Sequence, residues 1–200
     1  MSNWYTADSH FGADSNDIIE RENRPFKSMS EYTEEQVRIW NKQATSDDVI
    51  YAIGDFCNYN SFEKDYKSGL AVSAKINAQV ILVIGTQEQR VIRDHFEGDF
   101  EKFRSFCLNE PSFKFKDVVK NTYIDIRGEK FFLVHDPIDH DRNCLNLFGH
   151  THRAGGLYRP FGFNVGVDLN HFELFGDDDI MYMLDQKVHF NDQDPSINCW

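Results

Sequence analysis

Cysteine is scarce in this chain. Its 200 residues hold four, Cys57, Cys107, Cys144 and Cys199, with no Cys-x-x-Cys pair among them. That spacing excludes a dense disulfide framework and reads as free thiols in a reducing compartment. Long apolar runs are missing as well: none reaches the roughly 18 residues that a membrane-spanning helix needs. Residues 1–5 run directly into a motif with no signal peptide, so the expected location is cytoplasmic. Positive charge is short, with 21 Lys and Arg against 33 Asp and Glu, a net charge of −12. The acids are spread along the chain, and their field repels polyanions, so neither long nucleic acid nor a membrane is an expected partner. Repeats, low-complexity tracts and Pro/Gly/Ser-rich linkers are absent too. One domain over residues 1–200 is therefore expected, with residues 191–200 as a loosely ordered tail.

Core material is plentiful. Apolar residues make up 40% of the chain, including 18 Phe and 8 Tyr. A chain this long removes roughly 70% of its unfolded surface from water, so it can build a core unaided. Apolar patterning predicts strands over residues 3–7, 48–53 and 79–84, the last a continuous apolar run of the kind buried on both faces of a parallel sheet. Helical spacing predicts helices over 34–44, with Val37, Trp40 and Ala44 on one face and Thr33 as cap, and over 61–76 around Phe62, Tyr66 and Leu70. The second half reads as successive strands at 112–119, 122–126, 130–134, 146–149, 163–167 and 180–184. Helices first and strands later predict an α/β fold, a four-layer α/β/β/α sandwich of two mixed sheets packed face to face with flanking helices.

Chemistry-bearing residues gather where these apolar strands stop. Asp8-Ser9-His10 follows the first, Gly54-Asp55 the second, His135 the strand 130–134, and Gly149-His150-Thr151-His152 the strand 146–149. Each block alone is a common turn or a core histidine. Together they offer two carboxylates and four imidazoles, and in Gly-His-x-His both rings project to one side of an extended chain. This nitrogen and oxygen set suits Mn, Fe, Zn or Ni, and differs from the all-oxygen set of calcium.

The order of the blocks resembles the calcineurin-like metallophosphoesterase superfamily, whose pattern runs D-x-H, G-D, G-N-H-D/E, a histidine after a strand, then G-H-x-H. The segment Thr6-Ala7-Asp8-Ser9-His10-Phe11-Gly12, with Asn23-Arg24-Pro25-Phe26 and Trp40-Asn41 downstream, is similar to small bacterial and phage members. The resemblance covers about residues 3 to 170. It implies two divalent metal ions, with Asp8, His10 and His152 at one, Asp55 bridging, and His135 and His150 at the other. It further implies hydrolysis of a small phosphoester, of phosphodiester and nucleotide-like type, by hydroxide that the metal pair activates.

The third block departs from the family, because Gly85-Thr86-Gln87-Glu88 stands where G-N-H-D/E is usual. Thr86 takes the place of a metal-ligating Asn, and Gln87 that of a proton-donating His. A glutamine amide hydrogen-bonds but cannot transfer a proton. Glu88, His95 and His140 are the substitute acids within reach of the sequence. Three readings follow: an active phosphodiesterase whose leaving group needs little protonation, a slower hydrolase assisted by another acid, or a binding or scaffold protein on the same fold. Arg153, next to the last ligand, is the leading phosphate-gripping arginine, with Arg90 and Arg142 behind it. Asp136 is a partner for a ligating imidazole, and Asn58 and Asn164 are rim residues. The oligomeric state leaves no mark in the sequence.

Overall fold

A computed structural model describes residues 1–12, 17–59 and 65–193, with side chains through residue 187. The first sheet has the order β10-β1-β2-β3-β4. Its strands β1 (Asn3–Thr6), β2 (Val49–Ile53), β3 (Gln79–Val83) and β4 (Phe115–Val119) run parallel, and the short β10 (Phe175–Gly176) pairs antiparallel with β1. The second sheet has the order β5-β6-β7-β9-β8. It contains β5 (Thr122–Ile126), β6 (Glu129–Leu133), β7 (Leu145–Phe148), β8 (Tyr158–Arg159) and β9 (Gly162–Asn164). Within it β6, β7 and β9 are parallel, while β5 and β8 are antiparallel edges. Two mixed sheets with helices are thus present, as the apolar patterning predicts.

Alternation along the strands decides what each sheet face touches. Tyr5, Ala7, Ile53 and Val83 of the first sheet meet Ile126, Phe131, Leu133, Leu147 and Phe163 of the second in one buried cluster. The opposite face of the first sheet, with Ile50, Ala52, Val80 and Leu82, packs on helices. These are α2 (Met29–Gln43), α3 (Tyr66–Ala71), α4 (Thr86–His95) and α5 (Phe100–Asn109), with the short α1 (Asp17–Arg21) beside them. Tyr32, Gln36 and Trp40, spaced four apart along α2, are fully buried, as a helix repeat of 3.6 residues requires.

Several local expectations change. The strand predicted over 180–184 lies inside a helix, α6 (Asp177–Gln193). Asp177, Asp178 and Asp179 suit the positive end of a helix, and Ile180, Met183 and Leu184 repeat at helical spacing towards the cluster between the sheets. The apolar run there is short, so periodicity alone does not separate the two periods. The helix predicted from residue 34 starts a turn earlier, capped by Ser28 rather than Thr33, with the Ser28 hydroxyl accepting from Glu31 N at 3.2 Å. The helix predicted over 61–76 is α3 followed by a 3-10 turn at Val72–Lys75, with Asp65 as cap; Phe62 lies outside the described residues. The strand predicted over 163–167 ends at Asn164, and the chain turns at Val167–Leu169. Among the described residues no helix is long and apolar enough to cross a membrane. Cys57, Cys107 and Cys144 are free, and Cys199 lies outside the described residues.

Strand register brings the ends together. Thr6 pairs with Ala52 and Ile53 with Val83, so Asp8, Asp55 and Gly85 emerge along one edge of the first sheet. In the second sheet Leu133 pairs with Leu147, which sets His135 beside Gly149, and Gly149 N donates to His135 O at 3.1 Å. A bridge between Ala7 and Gly166 joins the two edges.

Candidate metal centre

Six of the candidate ligands converge at this shared edge as two trios. Asp8, His10 and His152 form one and Asp55, His135 and His150 the other, and within each trio the ligand atoms lie within 4.8 Å of one another. His10 Nε2 faces His152 Nε2 at 3.3 Å, and His135 Nε2 faces His150 Nδ1 at 3.3 Å. Asp55 stands between the trios. Its Oδ2 is 3.7 Å from His10 Nε2 and its Oδ1 3.4 Å from His135 Nε2. Asp8 Oδ1 is likewise 4.0 Å from both His135 Nε2 and His152 Nε2.

The backbone at this edge is held in an uncommon conformation. Asp8, His10, Asp55, His150 and His152 all have positive φ, between 46° and 70°. Such angles cost of order 1–3 kcal/mol each and persist only where surrounding contacts over-determine them. Those contacts are present. Asp8 N donates to Gly54 O at 3.1 Å and His10 N to Asp55 O at 2.8 Å. His150 N donates to both Asp8 carboxylate oxygens, at 3.0 and 2.9 Å. Gly54 has φ 78°, and a Cβ there would collide with the His135 ring; at Gly149 a Cβ would come within 2.7 Å of Asp8 Oδ2. Both glycines therefore keep the ligands close.

An Arg-Asp pair that sequence reasoning did not single out as functional supports the first trio. Arg24 and Asp168 have fully buried side chains and pair through Nε to Oδ1 at 2.8 Å and Nη2 to Oδ2 at 2.9 Å. The same guanidinium donates to Asp8 O at 2.8 Å and Ser9 O at 3.2 Å, while Tyr32 Oη donates to Ser9 O at 2.7 Å. Arg24 thus ties down the left-handed turn that carries Asp8 and His10. Asp168 Oδ2 lies 2.8 Å from His152 Nδ1. A carboxylate only accepts, so the proton sits on Nδ1 and the Nε2 lone pair is left for a cation. The Asn23-Arg24-Pro25-Phe26 segment was visible in the sequence, but its partner 144 residues away was not.

The second trio is supported differently. His135 Nδ1 donates to Ile53 O at 2.9 Å, which turns Nε2 towards Asp55. Behind Asp55 stands Glu88, fully buried. Its Oε2 accepts from Asp55 N and Gly85 N, and its Oε1 from Phe56 N and Cys57 N, at 2.8–3.1 Å. Glu88 is therefore a bracket for the Asp55 loop and not a substitute acid, because all four contacts hold its carboxylate inside the protein. Gln87 N donates to Asp55 Oδ1 at 2.8 Å, and its amide oxygen accepts from Tyr59 N at 3.2 Å. Thr86 Oγ1 lies 3.4 Å from His150 Nδ1, within reach of the second trio. Asp136 Oδ2 is 3.8 Å from the far nitrogen of His150.

Arg153 sits in the 3-10 turn His152–Gly155, exposed. Arg90 and Arg142 are exposed as well. His95 bonds Tyr59 Oη at 3.0 Å, and His140 stacks on Phe161 with centroids 4.1 Å apart, so both rings belong to aromatic packing. Asn164 is buried, its amide donating to His152 O and Thr151 Oγ1 at 3.1 Å, which makes it a brace for the last ligand turn and not a rim residue.

Electrostatics divide the ligands. Burial drives His10 down to about 3, so its imidazole is neutral, and its Nδ1 is buried with no hydrogen-bond partner. Burial also raises Asp8. For His135 burial opposes the charged ring, but the carboxylates of Asp55 and Asp8 outweigh it and hold the pKa up at about 10. Burial likewise opposes the ionised form of Asp55, yet His135 and His10 keep it below the usual carboxylate range. Asp168, despite burial, is held down at about 2 by His152 and Arg24. Paired carboxylates facing several imidazoles, with a left-over neutral nitrogen, are the donor set of a borderline transition-metal site.

No protein-family model and no curated protein matches the sequence. Solved structures do. AQ665 from Aquifex aeolicus, a protein of unknown function, superposes with TM-score 0.62 at 20% identity, covering 91% of this chain and 98% of that one. YfcE, a phosphoesterase from E. coli, gives TM-score 0.38 at 15% identity over 83% of this chain and 78% of that one. Vps29 from Entamoeba histolytica gives 0.33 at 13% over 83% and 73%. The chain therefore shares its fold with AQ665, at a distance in sequence.

Proposed function

We propose that this chain is a metal-dependent phosphoester hydrolase of the calcineurin-like type, acting as a phosphodiesterase on a small nucleotide-like ester. The observation that carries this reading is the side-by-side convergence of the two trios, with Asp55 turning one oxygen to each. Asp8, His10 and His152 would hold one divalent ion, and His135, His150 and Thr86 the other, with Asp55 shared. Bound there, two such ions supply a water of lowered pKa as nucleophile and neutralise charge on the phosphoryl oxygens.

The chain's own groups do the rest. Asp168 and Ile53 O fix the tautomers of His152 and His135, and Glu88 and Arg24 hold the carboxylate-bearing turns. Gln87 can donate a hydrogen bond to a leaving oxygen but no proton. Esters whose leaving group is stable as an anion are therefore the favoured substrates. A diester with one negative charge also meets less repulsion from a chain of net charge −12 than a doubly charged monoester does.

The test is elemental analysis after loading with Mn2+ and desalting, beside hydrolysis of bis-p-nitrophenyl phosphate and p-nitrophenyl phosphate. Two ions per chain and faster turnover of the diester are expected. Bound metal without turnover of either ester would favour a binding protein on this fold. No bound metal would defeat the proposal.

A further inference from the structure

Next to the second trio the surface is hollowed into a groove of about 430 Å3. That is far more than one phosphate fills, and it falls in the range of roughly 300–1,000 Å3 typical of sites for organic molecules. His135 borders both spaces. Its Nε2 faces Asp55 at 3.4 Å, and the residue also lines the groove together with Asp136. His135 is thus the residue common to the second trio and the groove.

The lining has a definite chemistry. Ile84, Ile92 and Phe100 present apolar surface, and Gln89 and Asn121 add exposed amides that both donate and accept. Lys120 Nζ stands 5.1 Å from the centre of the Phe100 ring, a cation over an aromatic face. The lining charges balance in number, Arg93 and Lys120 against Asp136 and Asp139, and the Arg93 guanidinium is already held by Asp94 at 2.6 Å, so a second anionic group gains little there. Apolar surface for a ring face, amides for its edge and balanced charge describe a planar, uncharged, hydrogen-bonding group.

We infer that this groove holds the nucleoside half of the ester and that it selects for the base. The inference rests on the phosphoesterase reading of the adjoining trios, whose ligands would take the phosphate. Removing about 60 Å2 of apolar surface from water is worth about tenfold in affinity.

Nitrogen-15 NMR titrations of the full chain with adenosine, adenosine 5′-monophosphate and ribose 5-phosphate test it. Adenosine should shift the amide signals of Gln89, Lys120 and Asn121. Adenosine 5′-monophosphate should bind about tenfold tighter than ribose 5-phosphate. Gln89→Trp, a filling change at an exposed helix position, should remove that difference; Asn121→Ala, which only trims the rim, should reduce it if the larger change impairs folding. Equal binding of the two phosphates, or adenosine shifts confined to other residues, would overturn the inference. Mn2+ uptake is measured separately. Its absence would defeat the phosphoesterase reading, while the adenosine shifts, which need no metal, still decide the groove.

Discussion

Asp8, His10 and His152 are all buried, whereas the trio of Asp55, His135 and His150 reaches solvent through His150. The first trio has the Arg24–Asp168 pair and Tyr32 packed behind it, all buried. The second has Glu88 buried behind Asp55, but His150 keeps a side chain 39% exposed and Thr86 is only half-buried. The groove also starts on this side, at His135. Enclosure strengthens electrostatic contacts because little water screens them; exposure admits substrate. Under the proposed function, the enclosed half would hold its ion and the open half would exchange with solvent and ligand.

Breaking the enclosed half should have the largest effect. Arg24→Ala leaves Asp168 buried without its partner and should cost about 3–5 kcal/mol, read from urea unfolding of the metal-free chain. A loss under about 1 kcal/mol would mean that the pair supports nothing. On the open side, Thr86→Asn with Gln87→His should raise hydrolysis of diesters with poor leaving groups by about 10²-fold, the low end of general-acid catalysis. Nitrophenyl esters should gain much less, and equal gains would remove the missing-acid explanation.

A subtler contrast comes from Asp168→Asn. Outer partners of ligating histidines are worth about 10–100-fold in metal affinity, so calorimetric Mn2+ titration should show one ion weakened and the other kept. Equal weakening of both would erase the distinction between the halves. Glu88→Gln should lose about 1–2 kcal/mol of stability, since an amide NH2 would face backbone N–H groups. Full stability with abolished turnover would instead restore Glu88 as an acid.

Much of the site was legible because its donors sit at strand ends, where an apolar run stops and a polar residue follows. Asp8, Asp55, His135, His150 and His152 all carry that signal. Glu88 was misread because adjacency to Gln87 says nothing of direction: on α4 its side chain turns inward to Gly85 and the Asp55 loop. The run 180–184 was misread because five residues fit either period, and three preceding aspartates were the overlooked sign of a helix start.

Local order in the chain determined which donors exist, that they follow apolar strands, and that Thr86 and Gln87 follow Gly85 at the end of the third strand. The resemblance already implied how the donors divide; tertiary structure alone decided that Arg24 and Asp168 brace one trio and that a groove adjoins the other. The reason is separation: His10 and His152 meet across 142 positions and Arg24 and Asp168 across 144. Contacts that distant are set by sheet register and by the packing of one sheet on the other, which no local pattern encodes.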